Sequence, residues 1–229
     1  MKRVSKRKTK EQEQTTPYYT LVLIGDNNVG KTQILHRLNG EKFEEKYFPT
    51  FGVDFRIKKS LDEKGKHAND IQMIDVAGEK DTIHINIEKD FINIADAFLV
   101  VFDLSNEESV IKACDIKKEY SKKIDELPYK NSAAKWYLIG NKKDIGESGK
   151  RIPSQYKNRF DRYFEISSKT SISSEFENIL DSIIKDLNNT VKENKNININ
   201  NELENENEEF EEDFLKAHQD IFNDDCEIF

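Results

Sequence analysis

The sequence predicts an α/β fold around a six-stranded, mostly parallel sheet, on three observations. Between Tyr18 and Val191, apolar strand-like runs alternate with stretches of helical periodicity, the pattern of a sheet flanked by helices. The first apolar run passes directly into a glycine-bearing loop and then a helical pattern. The second and third runs are joined by the turn formers Asp62-Glu63-Lys64-Gly65, which makes them a hairpin and sets one edge strand antiparallel.

The elements follow in order. Tyr18–Ile24 is apolar apart from Thr20, as suits a strand buried on both faces, and Lys31–Asn39 reads as a helix stopped by Gly40. Val53–Ser60 and Ile71–Ile74 are the hairpin strands. Ala97–Phe102, Trp136–Ile139 and Tyr163–Ile166 supply the remaining three strands, and Glu107–Ile124 a long helix. In the last helix, Ser174–Lys192, Phe176, Ile179, Leu180, Ile183, Ile184 and Leu187 form one apolar stripe, which is packing rather than chemistry.

Composition bounds the organisation. A chain of 229 residues, 36% of them hydrophobic, supports one core and no second domain. The net charge of −8 is concentrated at the ends. Residues 1–17 form a basic N-terminal tail through Lys2, Arg3, Lys6, Arg7, Lys8 and Lys10, open to three readings: a nuclear address, an anionic-membrane contact or a solvated tail. Residues 18–192 are the folded domain, and their near-neutral balance gives no basic face for nucleic acid. Residues 193–229 are rich in Asn and Glu, cannot bury enough apolar surface to order themselves, and read as a disordered acidic tail. Phe210, Phe214, Leu215, Ile221 and Phe222 punctuate its end at near-helical spacing, which leaves room for a partner-docking segment. Two cysteines, Cys114 and Cys226, make no disulfide framework, and His36, His67, His84 and His218 lack zinc-ligand spacing. No run approaches the length of a membrane span.

Gly25-Asp26-Asn27-Asn28-Val29-Gly30-Lys31-Thr32 fits the pattern G-x-x-x-x-G-K-[ST] in full. Chance produces such a match on the order of once in a hundred chains of this length. The strand before it and the helix after it are the context the pattern requires. Glycines let backbone N–H groups turn inward around phosphates, and the helix N-terminus adds partial positive charge. In such a loop Lys31 reaches the β- and γ-phosphates and the Thr32 hydroxyl ligates Mg²⁺. Gly25, Asn27, Asn28, Val29, Gly30 and Gln33 complete the expected contacts, so the octapeptide implies a bound nucleoside triphosphate.

Asn141-Lys142-Lys143-Asp144 bears on the base. The carboxylate of Asp144 can accept two hydrogen bonds from N1–H and the amino group of guanine, a donor pair that adenine lacks. In a chain this rich in Asn, Lys and Asp, an N-K-x-D match arises by chance roughly one time in five. Its position gives it weight, since it ends the apolar strand Trp136–Ile139 and ligands of open α/β sheets sit at strand carboxyl ends.

With these motifs in this order the chain resembles the Ras superfamily of small GTPases, and most closely the Rab subfamily, over about Tyr18 to Val191. Tyr47-Phe48-Pro49-Thr50-Phe51-Gly52-Val53-Asp54-Phe55 is similar to the family's first switch, which implies that Thr50 ligates Mg²⁺ in the GTP state and that Tyr47 lies near the nucleotide. Gly52-Val53-Asp54-Phe55 is the Rab-like part, and Phe43 stands where the family packs an aromatic ring on guanine. Asp75-Val76-Ala77-Gly78 matches D-x-x-G, implying that Asp75 holds Mg²⁺ through water and that the Gly78 N–H meets the γ-phosphate. Asn141, Lys142 and Asp144 match the guanine reader, and Ser167-Ser168-Lys169 resembles the final S-A-K loop, whose middle residue gives a backbone N–H to guanine O6.

The resemblance implies a P-loop G domain binding GTP or GDP with Mg²⁺. It further implies a monomeric, cytoplasmic switch in vesicle trafficking, peripheral on an endomembrane. Effector, exchange-factor and activating proteins would read the segments near 43–55 and 75–94. Lys31 would stabilise charge on the transferring phosphoryl group, and the residue after D-x-x-G, usually glutamine, would orient the attacking water. Here that residue is Glu79, whose carboxylate is either repelled by the γ-phosphate or raised in pKa to act as a base. Slow intrinsic hydrolysis is therefore expected. The following Lys80-Asp81-Thr82 departs from the Rab pattern, and the stretch up to Ala95 is about two residues longer than usual, so standard Rab partners do not carry over. Cys226-Glu227-Ile228-Phe229 fits the C-a-a-X prenylation pattern; with Asp224 and Asp225 beside it, any attachment is expected to be weak. Two other functions stay open, a GTP-loaded scaffold that hydrolyses little and a Ran-like nuclear transport GTPase.

Overall fold

The structure, a computed structural model, describes residues 18–46, 50, 52–61, 65, 67–76, 91–126, 134–145 and 152–192. The predicted N-terminal tail, the hairpin turn Asp62–Lys64, the divergent stretch after Gly78 and the acidic tail lie outside the described residues. By compactness the chain divides into two units, Met1–Ile179 and Leu180–Phe229.

In the first unit the chain runs β1 (Tyr18–Gly25), α1 (Lys31–Leu38), β2 (Val53–Leu61), β3 (His67–Val76), a helical stretch at 91–94, β4 (Ala97–Asp103), α2 (Glu107–Asp125), β5 (Lys135–Asn141), α3 (Ser154–Lys157) and β6 (Arg162–Glu165). The strands form one six-stranded sheet in the order β2-β3-β1-β4-β5-β6, with β2 antiparallel to β3 and the other pairings parallel. The predicted antiparallel strand is indeed at the edge. A final helix, α4, covers 173–192, and its apolar stripe is buried at Phe176, Ile179, Leu180, Ile183, Ile184 and Leu187.

Most element ends lie within a residue or two of expectation, and two larger differences have physical reasons. β3 begins at His67 rather than Ile71, because Asn69 and Asp70 join the ladder against Ser60 and Lys59 through backbone pairing that apolar periodicity does not reveal. α3 is a single turn after Pro153, too short to show a helical period.

The central strands are hydrophobic on both faces, with residues 21–24 of β1 and 97–102 of β4 all buried. On one face Phe98 stacks on Trp136 at 4.4 Å between ring centroids and meets the edge of Tyr120 from α2 at 6.0 Å. Asn106 starts α2 by accepting the Glu108 N–H at 3.0 Å, and Glu107 and Glu108 sit at the positive end of the helix dipole. Cys114 is a free thiol buried in α2. β2 turns its polar residues toward α1: Arg56 pairs with Glu41 at 2.8 Å and with Asp54, and Lys58 donates to the Leu38 carbonyl at 2.9 Å. No helix among the described residues is long and apolar enough to cross a membrane.

Candidate functional site

β1 is the first strand in the chain but lies between β3 and β4, so successive connections leave it in opposite directions. The crevice at such a point, beyond the carboxyl ends of the strands, is where this architecture presents loops to a ligand. A cavity of about 350 Å³ lies there, within the range of small-molecule sites.

The floor is the loop Gly25–Gly30 with the first turn of α1. Gly25 passes so close to β4 that a Cβ there would stand 2.3 Å from the Val101 carbonyl oxygen. Gly30 has φ 90°, and a Cβ would lie 2.4 Å from Asn141 Nδ2. Both positions therefore require glycine. Lys31 is buried, and its Nζ donates to the carbonyls of Gly25 at 3.2 Å and Asp26 at 2.9 Å. Burial lowers the pKa of this ammonium, and the charges of Asp75 and Asp26 counter the shift. Asp26 is in turn bonded by Lys112 of α2 at 2.8 Å, chiefly which holds its carboxyl below the usual range.

Beside the lysine, three side chains converge. Thr32 Oγ1 lies 2.9 Å from Thr50 Oγ1 and donates to Asp75 Oδ2 at 2.5 Å; Thr50 Oγ1 reaches the same carboxylate oxygen at 3.3 Å. Asp75 is fully buried, and its Oδ1 has no hydrogen-bond partner among the described residues. Burial raises its pKa against the pull of Thr32, Lys31 and Thr50, while Asp54 adds to the rise. A buried carboxylate with one unpartnered oxygen beside two hydroxyls is a set of hard oxygen donors, which fits Mg²⁺. Thr32, Thr50 and Asp75, far apart in the chain, were the three residues expected to serve it.

The far wall comes from the ends of β5 and β6. Asn141 is 1% exposed and faces inward: Nδ2 donates to the Val29 carbonyl at 2.9 Å, and Oδ1 accepts the Ser168 N–H at 2.9 Å. It thus ties the phosphate-type loop to the loop after β6. The Ser168 N–H, expected to face guanine O6, has Asn141 as its acceptor here because a buried amide must be satisfied. Ser167 donates to Asp144 Oδ1 at 2.6 Å and accepts the N–H groups of Lys169 at 3.2 Å and Thr170 at 3.0 Å. Asp144 lines the cavity with Phe43, so a carboxylate edge and an aromatic ring share one pocket. That pairing suits a planar base offering two adjacent donors.

Of the predicted contacts, Asn27, Asn28, Gly30, Lys31, Thr32, Gln33, Phe43, Thr50, Asn141, Lys142, Asp144, Ser168 and Lys169 line the cavity. Gly25, Val29, Asp75 and Ser167 act from behind it through the bonds above. Tyr47, Gly78, Glu79 and Cys226 lie outside the described residues. Glu44, Glu45 and Ile145 also line the cavity, which the sequence reading missed. Adjacency to Phe43 and Asp144 was the available signal. The Glu44 N–H donates to Gln33 Oε1 at 3.0 Å, and Glu45 lies 3.6 Å from Lys169.

The family model described as the Ras family matches residues 20–189. The chain belongs to the Ras family. Among relatives, the Ras-related protein Rab-32D of Dictyostelium discoideum is 34% identical over 177 residues, 74% of this chain and 72% of that protein. The Ras-related protein RabC of the same organism is 27% identical, over 77% of this chain and 87% of its own length. RABE1d of Arabidopsis thaliana is 29% identical, over 76% and 77% respectively. This Ras-family chain is a small GTPase that most resembles the Rab proteins, and its family binds GTP and GDP with Mg²⁺.

Proposed function

We propose that the chain is a Rab-like GTP/GDP switch in intracellular vesicle trafficking, with slow intrinsic hydrolysis. The observation that carries the switch reading is the meeting of Thr32, Thr50 and Asp75. Thr50 meets there two side chains from other parts of the chain, so a cation holding all three would couple nucleotide state to the shape of 43–55. Mg²⁺ held there would neutralise charge on the transferring phosphoryl oxygens. Lys31 would add its own charge to the same oxygens, and Asp144 with Phe43 would select guanine. Partners would read the surfaces near 43–55 and 75–94.

Glu79 separates this reading from a GTP-loaded scaffold. A switch turns over, and Glu79→Gln should speed single-turnover GTP hydrolysis by about tenfold or more, since an amide both donates and accepts toward water. Rapid hydrolysis by the wild type would overturn the slow-turnover part. GTP retained after purification, with no response to Glu79→Gln, would favour the scaffold.

A further inference from the structure

Asp103 ends β4 and pairs in register with Asn141, the last residue of β5, so Lys142 leaves the sheet beside it. Lys142 Nζ lies 2.8 Å from Asp103 Oδ2, with the aspartate side chain only 14% exposed. The other oxygen, Oδ1, accepts the Ser105 N–H at 2.9 Å and the Ser105 hydroxyl at 2.6 Å. The Asp103 N–H donates to Ser109 Oγ at 2.9 Å. The carboxylate is therefore fixed by its own strand end before it meets the lysine. Lys142 has φ 61°, left-handed and uncommon for a residue with a Cβ. Its carbonyl accepts the Ile145 N–H at 3.1 Å, and the Lys143 N–H donates to Ile166 O at 3.2 Å. Asp144, two residues on, lines the cavity.

We propose that Asp103 is a positioning residue for base recognition: by clamping Lys142 in its left-handed conformation, it sets the direction in which Asp144 presents its carboxylate. The proposal rests on the guanine-nucleotide reading above. Burial works to raise the Asp103 carboxyl, but the bonds from Lys142 and Ser105 and the lysine's charge outweigh it and leave it below the usual range. The clamp is thus an ion pair at neutral pH.

The test compares wild type, Asp103→Asn, Lys142→Gln and the double variant for release of a fluorescent GDP analogue and for competition by GDP and by IDP, which lacks the 2-amino group. Asp103→Asn should speed release about tenfold, the scale of one charge-assisted hydrogen bond. It should also narrow the preference for GDP over IDP and add nothing in the Lys142→Gln background. Asp103→Glu should restore part of the preference, and Ser105→Ala should shift both readouts in the same direction by less. Equal losses for GDP and IDP, or the same effect of Asp103→Asn in both backgrounds, overturn the proposal. A wild-type protein that binds no guanine nucleotide overturns the underlying reading instead, and the two failures are distinct.

Discussion

Replacing Asn141 by alanine removes the acceptor of the Ser168 N–H and the donor to the Val29 carbonyl, both in buried residues. Leaving two such groups unsatisfied should cost about 2–4 kcal/mol, measured by urea unfolding of the nucleotide-free protein. Asp75 carries the opposite sign. Its folded pKa is raised, chiefly by burial, so its contribution to stability is fully present below the unfolded value of about 3.9 and is lost as pH rises through the folded value. Above that window the buried anion destabilises the metal-free fold. Asp75→Asn should therefore raise the urea midpoint at pH 7 without Mg²⁺ while abolishing any gain on adding Mg²⁺. An Asn variant less stable than wild type under those conditions would count against this account. The sequence named Asn141 and Asp75 as functional, yet Asn141 was read as a base contact. Its bonds to residues 112 and 27 positions away exist only once β1, β5 and β6 stand in one sheet with their carboxyl ends on the same side.

Among the elements, β4, β5 and α2 meet through Phe98, Trp136 and Tyr120. Phe98 is fully buried, and Phe98→Ala should cost about 3–5 kcal/mol. The chain has one tryptophan, so its fluorescence reports the same packing directly. A milder change, Asn106→Ala, should cost about 1 kcal/mol by removing the cap of α2, with the denaturant slope unchanged. The strands and long helices were legible because burial on both faces leaves continuous apolar runs and burial on one face leaves a helical period. The start of β3 was not, since Asn69 and Asp70 are held by a backbone ladder that takes polar residues as readily as apolar ones. α3 lacked the length to show any period.

For the whole molecule, binding of GDP with Mg²⁺ to the folded state alone should raise stability by about 2.7 kcal/mol at a hundredfold excess over Kd, roughly 5–10 °C in Tm for a domain of this size. Chelation of Mg²⁺ should remove most of that shift, and a Tm indifferent to both would argue against a built nucleotide site. By itself the sequence determined the α/β class, the antiparallel edge strand and the identity of the chemical groups, because the loop Gly25–Thr32 and the run Asn141–Asp144 carry their chemistry on contiguous residues. Only the tertiary structure decided which distant groups act together: Thr32 and Thr50 with Asp75, Asp26 with Lys112, and Asp103 with Lys142. The reason is that periodicity and motif spacing report the environment of neighbours along the chain, whereas these pairings are set by strand order and register, which bring together side chains that no local pattern relates.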